Sequence, residues 1–272
     1  MKIRERIIRM ALRNGATLAG IADMDALRAS ASHMISEKIG RYPVDSVGKD
    51  FKHLPDNEFI ADHETAQDRP MFSWPQAVKS VMVIGLSHPK DQPELDWWDG
   101  RGTPGNRILI DIIKRTSRQI EAELNVNTRK LHYYVEKGGI FLKDAAVLAG
   151  LGCIGKNNML ITPSVGPRIR LRALFLDLKI SPTTPMDFDP CTDCKAFCKR
   201  VCPEQAMAGQ VPYLKAIEFD RPLPGRDGIY DRGRCGMRMK KDVDEGAERP
   251  SDSRAAIKFC RQCELICPAG KS

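Results

Sequence analysis

The sequence lacks any apolar run close to the ~20 residues that a membrane helix needs. Its strongest apolar run, at 81–86, is short. The N-terminal segment 1–15 scatters charges among its apolar positions, which predicts an amphipathic helix and excludes a secretory signal. No twin arginine occurs, so export of a folded cofactor protein is not indicated either. These absences predict a cytoplasmic protein with no membrane partner.

Cysteine is missing from residues 1–152 and then becomes frequent. Cys153 stands alone, and the other eight of the nine cysteines all follow residue 190. A chain of 272 residues can bury a core without cross-links, and a reducing compartment disfavours disulfides. The dense cysteines therefore predict metal binding or redox chemistry.

The eight cysteines form two runs with a remote member between them. The first run is CTDCKAFCKRVCP, the second is CRQCELICP, and Cys235 lies between the two. The bacterial ferredoxin run is C-x2-C-x2-C-x3-C-P, and its last cysteine ligates the other cluster. Closely spaced thiolates reach successive corners of one iron cube, whereas the cysteine before proline points to the second cube. The predicted ligands are Cys191, Cys194, Cys198 and Cys267 for cluster I, and Cys202, Cys235, Cys260 and Cys263 for cluster II.

Two departures from the ferredoxin pattern leave an alternative open. Three residues, rather than two, separate Cys194 from Cys198, and a polar insertion separates Cys235 from Cys260. Eight cysteines also suffice for two tetrahedral zinc sites. Zinc does not require the C-x3-C-P endings, so the spacing favours two [4Fe–4S] clusters.

The periodicity of apolar residues predicts an α+β fold, because helices and strands are mixed without strict alternation. The apolar face of the long helix is predicted to carry Ile108, Ile112, Ile113 and Ile120. Predicted loops cover 40–75 and 89–105, and the Pro-rich segment 181–190 divides a domain at 1–180 from a cysteine-bearing domain at 181–272. The predicted helices are 2–14, 106–124 and 143–152, and the predicted strands are 16–23, 80–88, 131–136, 158–163 and 168–178.

A glycine-rich segment, AGLGCIGKNNMLITPSVG at 149–166, forms a second signal. Its backbone amides could approach an anion or a flat cofactor closely. It is neither a P-loop nor a dinucleotide-binding fingerprint. A plain helix stop followed by a turn is the alternative interpretation.

The stretch A-G-L-G-C-I-G-K-N, followed by a strand and a double ferredoxin module with a remote cysteine, resembles epoxyqueuosine reductase. It is also similar to the catalytic core of reductive dehalogenases. The resemblance implies a nitroreductase-like, cobalamin-binding N-terminal domain and a ferredoxin-like module with two [4Fe–4S] clusters that pass electrons to cobalt. In this family no protein histidine lies below cobalt, and none of the five histidines here stands in a D-x-H-x-x-G pattern.

The resemblance also implies site residues. The aspartate proton donor of epoxyqueuosine reductases falls on Glu136, for which a solvated charge at a strand end is the alternative. Tyr134 or its neighbour Tyr133 could donate a proton, as a tyrosine does in the dehalogenases, and the other would be core. Cys153 stands where the family usually has an aromatic residue, and for its thiol the favoured interpretation is a buried small residue. The cofactor-contacting stretch falls on Gly150, Gly152, Cys153, Gly155, Lys156 and Asn157.

Three functions and several partners agree with these features. The chain is expected to be a cobalamin-dependent iron–sulfur reductase, an electron-transfer protein that reduces the corrinoid of a separate methyltransferase system, or a plain ferredoxin-like carrier. Expected partners are a low-potential donor such as ferredoxin or flavodoxin, and a corrinoid protein or tRNA. The formal charge of +8 suits an anionic partner, although cluster ligation would reduce it. Arg168, Arg170 and Arg172 alternate along one strand, either to meet phosphates or as part of a solvated edge strand.

Overall fold

A computed structural model describes residues 2–34, 78–100, 102–133, 135, 139–209, 225–226, 229–247 and 256–270. Its helices are α1 (Ile3–Arg13), α2 (Met24–Arg28), α3 (Pro104–Leu124), α4 (Leu142–Leu148), α5 (Phe197–Val201), α6 (Arg232–Ala247) and α7 (Gln262–Leu265). Its strands are β1 (Leu18–Asp23), β2 (Ser80–Ser87), β3 (Thr128–Lys130), β4 (Cys153–Ile154), β5 (Leu160–Ile161) and β6 (Ile169–Leu176). No helix within these described ranges has the length and apolar character of a membrane span.

Four strands form an antiparallel sheet in the order β1-β2-β6-β3. The interior strands β2 and β6 pair along their full length, with Ser80 opposite Leu176 and Ser87 opposite Ile169. Apolar clusters cover both faces of β2, which explains its nearly continuous apolar sequence. The sheet thereby confirms the strands predicted at 80–88 and 168–178.

Helices cover both faces of this sheet. The helices α1 and α3 pack on the face that carries Met82 and Ile84, whereas α2 and α4 pack on the face that carries Val81 and Val83. The helix α3 begins at Pro104, because proline suits the first helical position and the Thr103 hydroxyl accepts the free N–H of Asn106. Helices with an antiparallel sheet confirm the predicted α+β class. The nitroreductase-like and ferredoxin-like arrangements stay predictions.

The strand predicted at 131–136 is wrong in position. The structure has β3 at Thr128–Lys130, and only the N–H of Leu131 continues the pairing, donating to Ala173. Leu131 and His132 are both buried, so the alternation that a strand requires ends here.

Two other elements also differ from prediction. The strand predicted at 158–163 is only the two-residue β5. Ile108 on α3 is 43% exposed, because it lies at the edge of the apolar stripe that Ile112, Ile113 and Ile120 bury. The predicted loop at 40–75 lies outside the described residues.

The arginines of β6 do not lie on a solvated edge strand, and that interpretation is wrong. β6 is flanked by β2 and β3 in the sheet. Arg168 is 2% exposed and Arg172 is 1% exposed, while the half-buried Arg170 forms an ion pair with Asp96. Arginine in such places needs partners within the protein.

Candidate functional site

The first cysteine group lines one cleft. Cys191, Cys194 and Cys198 come from the loop before α5 and from α5 itself, and Cys267 comes from the segment after α7. Ala196 adopts a left-handed φ of 52°, which accommodates the extra residue between Cys194 and Cys198. Lys156, Asn157, Ile161, Phe197 and Pro268 complete the cleft wall. These four cysteines are the set predicted for cluster I.

The second cysteine group consists of four residues: Cys202 at the end of α5, Cys235 on α6, Cys260 and Cys263. Burial, together with the neighbouring thiols of Cys235, Cys260 and Cys202, raises the pKa of Cys263 to about 12. The backbone N–H of Cys260 donates to Asp242 Oδ2 at 2.7 Å. The four sulfurs therefore influence one another, and they are the set predicted for cluster II.

The arrangement of donors bears on the zinc alternative. None of the nine cysteines forms a disulfide. In the part of the chain that the structure describes, no three His, Cys, Asp or Glu side chains are placed to hold a single metal ion. Zinc draws its sulfurs to about 2.3 Å from one ion, whereas a four-iron cube is larger and keeps its thiolates further apart. The choice between zinc and clusters stays a prediction from the cysteine spacing.

The glycine segment packs against its own protein. A Cβ on Gly150 would lie 2.3 Å from the carbonyl oxygen of Thr184, and a Cβ on Gly152 would lie 2.0 Å from that of Ile161. A Cβ on Gly155 would lie 2.6 Å from the Ile161 side chain. These glycines permit close backbone packing. Their predicted contact with cobalamin stays a prediction.

Lys156 and Asn157 connect the glycine segment to both cysteine groups. Lys156 Nζ donates to the carbonyl oxygens of Cys194 at 3.0 Å and Thr192 at 3.5 Å. Asn157 Nδ2 donates to the carbonyl oxygen of Cys263 at 3.4 Å. Adjacent residues thus touch different groups, and the segment lies where the two groups meet.

Cys153 lies beside the first group. Burial raises the pKa of its thiol to about 11, and the charges of Asp189 and Cys191 act in the same direction. The side chain is only partly buried, in β4. Its predicted role as a cofactor contact or a small packing residue stays open.

The two predicted catalytic side chains, Tyr134 and Glu136, lie outside the described residues. Their described neighbour Tyr133 is 47% exposed. The Arg172 guanidinium lies 4.8 Å from the centre of its ring. Tyr133 is therefore not the core member of the tyrosine pair.

Sequence reasoning missed a buried polar cluster between the loop after β2 and the second cysteine run. His88 Nδ1 lies 2.8 Å from Asp96 Oδ2, and Asp96 also pairs with Arg170 and Arg261. Arg261 pairs in turn with Glu264. Burial raises the pKa of Asp96, but the His88 hydrogen bond and the two arginines hold it below its ordinary value. Only the charges inside CRQCELIC hinted at this cluster.

Sequence reasoning also missed the surroundings of Arg168. Its Nη2 donates to the carbonyl oxygen of Ala269 at 3.3 Å, two residues after Cys267. Its buried Nη1 has no hydrogen-bond partner among the described residues. A Cβ on Gly166 would lie 1.9 Å from the same Ala269 oxygen. The start of β6 and the end of the cysteine segment are therefore in tight contact.

No protein-family model matches the chain. Among curated proteins, the tetrachloroethene reductive dehalogenase of Desulfitobacterium hafniense is 36% identical over 180 residues, covering 58% of this chain and 31% of that protein. The epoxyqueuosine reductase of Lactococcus garvieae is 24% identical over 227 residues, covering 77% of this chain and 57% of that protein. The matched part of the chain thus spans about a third of the length of the dehalogenase and somewhat more than half of the length of the epoxyqueuosine reductase. The predicted resemblance to both groups is confirmed.

Solved structures share the fold. An epoxyqueuosine reductase crystallised with an epoxyqueuosine-modified tRNA stem loop matches 98% of this chain and 64% of its own, with a TM-score of 0.62 and 18% identity. A reductive dehalogenase whose structure suggests a mechanism for B12-dependent dehalogenation matches 86% of this chain and 29% of its own, with a TM-score of 0.55 and 16% identity.

Proposed function

We propose that this chain is an iron–sulfur reductase that passes electrons through two [4Fe–4S] clusters to a bound corrinoid. The observation that carries the proposal is the cleft that Cys191, Cys194 and Cys198 share with the distant Cys267. That exchange of one cysteine between runs is the ferredoxin pattern for two clusters. The named relatives are reductases, which supports an oxidoreductase.

The residues of both groups fit iron–sulfur clusters. Each group supplies four thiols. Burial raises the pKa of thiols such as Cys198 and Cys263, which makes them harder to deprotonate, and the free energy of metal binding would offset that cost. The unpartnered buried Nη1 of Arg168 is suited to an anionic group beside Cys267. When bound, the clusters and the corrinoid would supply one-electron transfer and strongly reduced cobalt. Lys156 and Asn157 hold the two cysteine loops in register.

The corrinoid rests on the relatives and on the glycine segment. The dehalogenase neighbour is described as B12-dependent. We assign contact with the corrinoid to Gly150, Gly152, Cys153, Gly155, Lys156 and Asn157. We assign proton donation to the substrate to Glu136, with Tyr134 nearby in the sequence. Glu136 would act as a general acid if its surroundings raise its pKa towards neutral pH.

Elemental analysis of anaerobically prepared protein tests the clusters. We expect about eight iron and eight sulfide per chain, as two four-iron clusters require, and no stoichiometric zinc. Cys198→Ala should lose about half of the iron, whereas the matched variant Cys153→Ala should retain it. A colourless, iron-free protein, or equal iron loss in both variants, would refute the assignment.

Cobalamin binding separates the reductase from a plain ferredoxin-like carrier. We expect a change in the visible spectrum when cobalamin is added, and no change would leave the carrier as the function. The tRNA-bound neighbour favours a modified nucleoside as one substrate class. Turnover of epoxyqueuosine tRNA would support it, whereas reduction of a separate corrinoid protein alone would support the methyltransferase alternative.

A further inference from the structure

We propose that Arg168 and Lys156 give cluster I the higher reduction potential of the two clusters, so that an electron reaching cluster II moves on to cluster I. This inference rests on the proposed function, because it requires both clusters. Cluster potential depends on net charge, hydrogen bonds to sulfur and solvent exposure. Reduction adds one negative charge, so a nearby cation favours the reduced form.

Arg168 brings a buried positive charge to cluster I. Its side chain is 2% exposed, and Nη2 is tied to the carbonyl oxygen of Ala269. The described residues offer no hydrogen-bond partner to Nη1. No described carboxylate contacts Arg168, so none of the described residues neutralises its charge. Burial also keeps solvent ions from screening it.

Lys156 brings a second cation to the same cluster. It lines the cleft of the first cysteine group, and its described hydrogen bonds go to the carbonyl oxygens of Thr192 and Cys194. The carboxylate that accepts the Cys191 N–H, Asp189, is already paired with Arg226. Cluster I therefore faces two cations that no described carboxylate offsets.

The charges around cluster II are balanced. Asp242, which accepts the Cys260 N–H, pairs with Arg238. Asp96 and Glu264 pair with Arg170 and Arg261. Arg238 also pairs with Glu245, so four described carboxylates face three arginines, and these arginines bring no net positive charge to cluster II.

Hydrogen bonds to sulfur favour reduction of both clusters, so most of their effect cancels in the comparison. At cluster II the Ala206 N–H donates to Cys202 Sγ at 3.3 Å, and the Gln262 N–H and the Tyr230 hydroxyl bond to Cys260 and Cys235. At cluster I the N–H groups of Lys199 and Ala269 bond to Cys198 and Cys267. Among the described residues cluster II thus has one neutral donor more, and a neutral donor contributes less than a full charge, so the two cations outweigh the difference.

The resulting step is a transfer of one electron. Cluster II returns from its reduced to its oxidised form, and cluster I goes from its oxidised to its reduced form. No bond breaks and no proton moves. The first electron comes from an external low-potential donor of the ferredoxin or flavodoxin class.

An anaerobic redox titration followed by electron paramagnetic resonance tests the order. The wild-type holoprotein should show two separate one-electron steps. Arg168→Gln and Lys156→Gln should each lower the higher-potential step and leave the lower one in place. For Arg168→Gln we expect about a tenfold change in the reduction equilibrium, which is 59 mV for a one-electron couple.

Arg200→Gln is the matched control. Arg200 is an exposed arginine on α5, between Cys198 and Cys202, so solvent screens its charge and both steps should stay near their wild-type positions. If Arg168→Gln or Lys156→Gln shifted the lower-potential step instead, cluster I would be the cluster of lower potential and the proposed order would be wrong. Unmoved steps in both variants, or one merged step in the wild type, would also overturn the inference.

The outcomes also separate this inference from the function beneath it. A wild-type protein without iron refutes the proposed function and the order together. Normal iron with unmoved steps refutes the order alone. If Arg168→Gln does not fold, Arg168→Lys should keep the wild-type potentials, because it keeps the charge. Lys156 is partly exposed, so Lys156→Gln should fold and then tests the order of the potentials by itself.

Discussion

Among single residues, Gly166 shows how a missing side chain joins two parts of the molecule. It has a φ of 59°, and a Cβ at this position would lie 1.9 Å from the carbonyl oxygen of Ala269. Only glycine tolerates both the conformation and the contact. The sequence displayed this glycine, but nothing near it in the chain indicated its distant neighbour.

We expect Gly166→Ala to lower the free energy of unfolding by about 2 kcal/mol or more, because both backbone strain and a backbone clash result. Denaturant unfolding measures the change. Gly209→Ala is the control, because a Cβ there meets nothing within 4 Å and should change stability by less than about 0.5 kcal/mol. Equal stability of the two variants would contradict the tight contact.

His33 makes stability depend on pH. Its Nε2 accepts the N–H of Phe141 at 3.2 Å, so Nδ1 carries the proton and donates to Ser30 Oγ at 2.7 Å. Burial lowers the pKa of His33 to about 3, from an ordinary 6.5. Between these pH values the unfolded chain binds a proton that the folded chain does not, so the free energy of unfolding falls as pH falls below 6.5.

We expect the free energy of unfolding to drop by up to about 1.4 kcal/mol per pH unit through this residue between pH 6 and pH 4. His33→Asn should remove that part of the slope. Denaturant unfolding at several pH values measures it. An unchanged slope in the variant would show that His33 titrates alike in both states.

At the scale of elements, helices and strands with a continuous or regularly spaced apolar pattern were predicted well. The strands β2 and β6 and the helices α1 and α3 follow from residues that are apolar at the right spacing. The position of β3 could not be predicted, because its pairing with β6 is set by long-range contacts and not by its own polar sequence. The burial of Arg168 and Arg172 was hidden for the same reason.

The buried ion pairs around Asp96 join two elements that are remote in sequence. We expect Asp96→Asn to cost about 3 kcal/mol of stability, since it leaves arginine charges without their partner in a buried place. Hydrogen exchange should quicken at 257–264, where Ile257 exchanges two backbone hydrogen bonds with Trp98 at 2.8 and 2.9 Å. Asp99→Asn removes an exposed pair with Arg107 and should cost less than about 1 kcal/mol.

At the scale of the whole molecule, cysteine spacing placed Cys267 with the first group, and the structure has these four cysteines along one cleft. Their role as cluster ligands stays a prediction. In the ferredoxin pattern the positions of the thiols depend on the spacing of cysteines within short loops, and that spacing can be read from the sequence. The contacts of Lys156 and Asn157 with both groups could not be foreseen, because they depend on how the sheet and the cysteine segments pack together.

Removal of iron should leave the sheet intact. Neither of the two apolar clusters that cover its faces contains a cysteine. After anaerobic chelation we expect the far-ultraviolet circular dichroism to keep most of its intensity, while proteolysis within 191–209 and 256–270 becomes faster. A chelated protein that loses all secondary structure would contradict this division.

The contact between Gly166 and Ala269 has a consequence for how the protein matures. It fixes the segment after Cys267 against the loop between β5 and β6, where Val165 packs on an apolar cluster that contains no cysteine. Small zinc domains fold only as they acquire their ion. Here one end of the cysteine segment would stay anchored to the core while its loops loosen without iron, so delivery of iron and sulfide, rather than folding of the core, would set the pace at which newly made chains become redox-active.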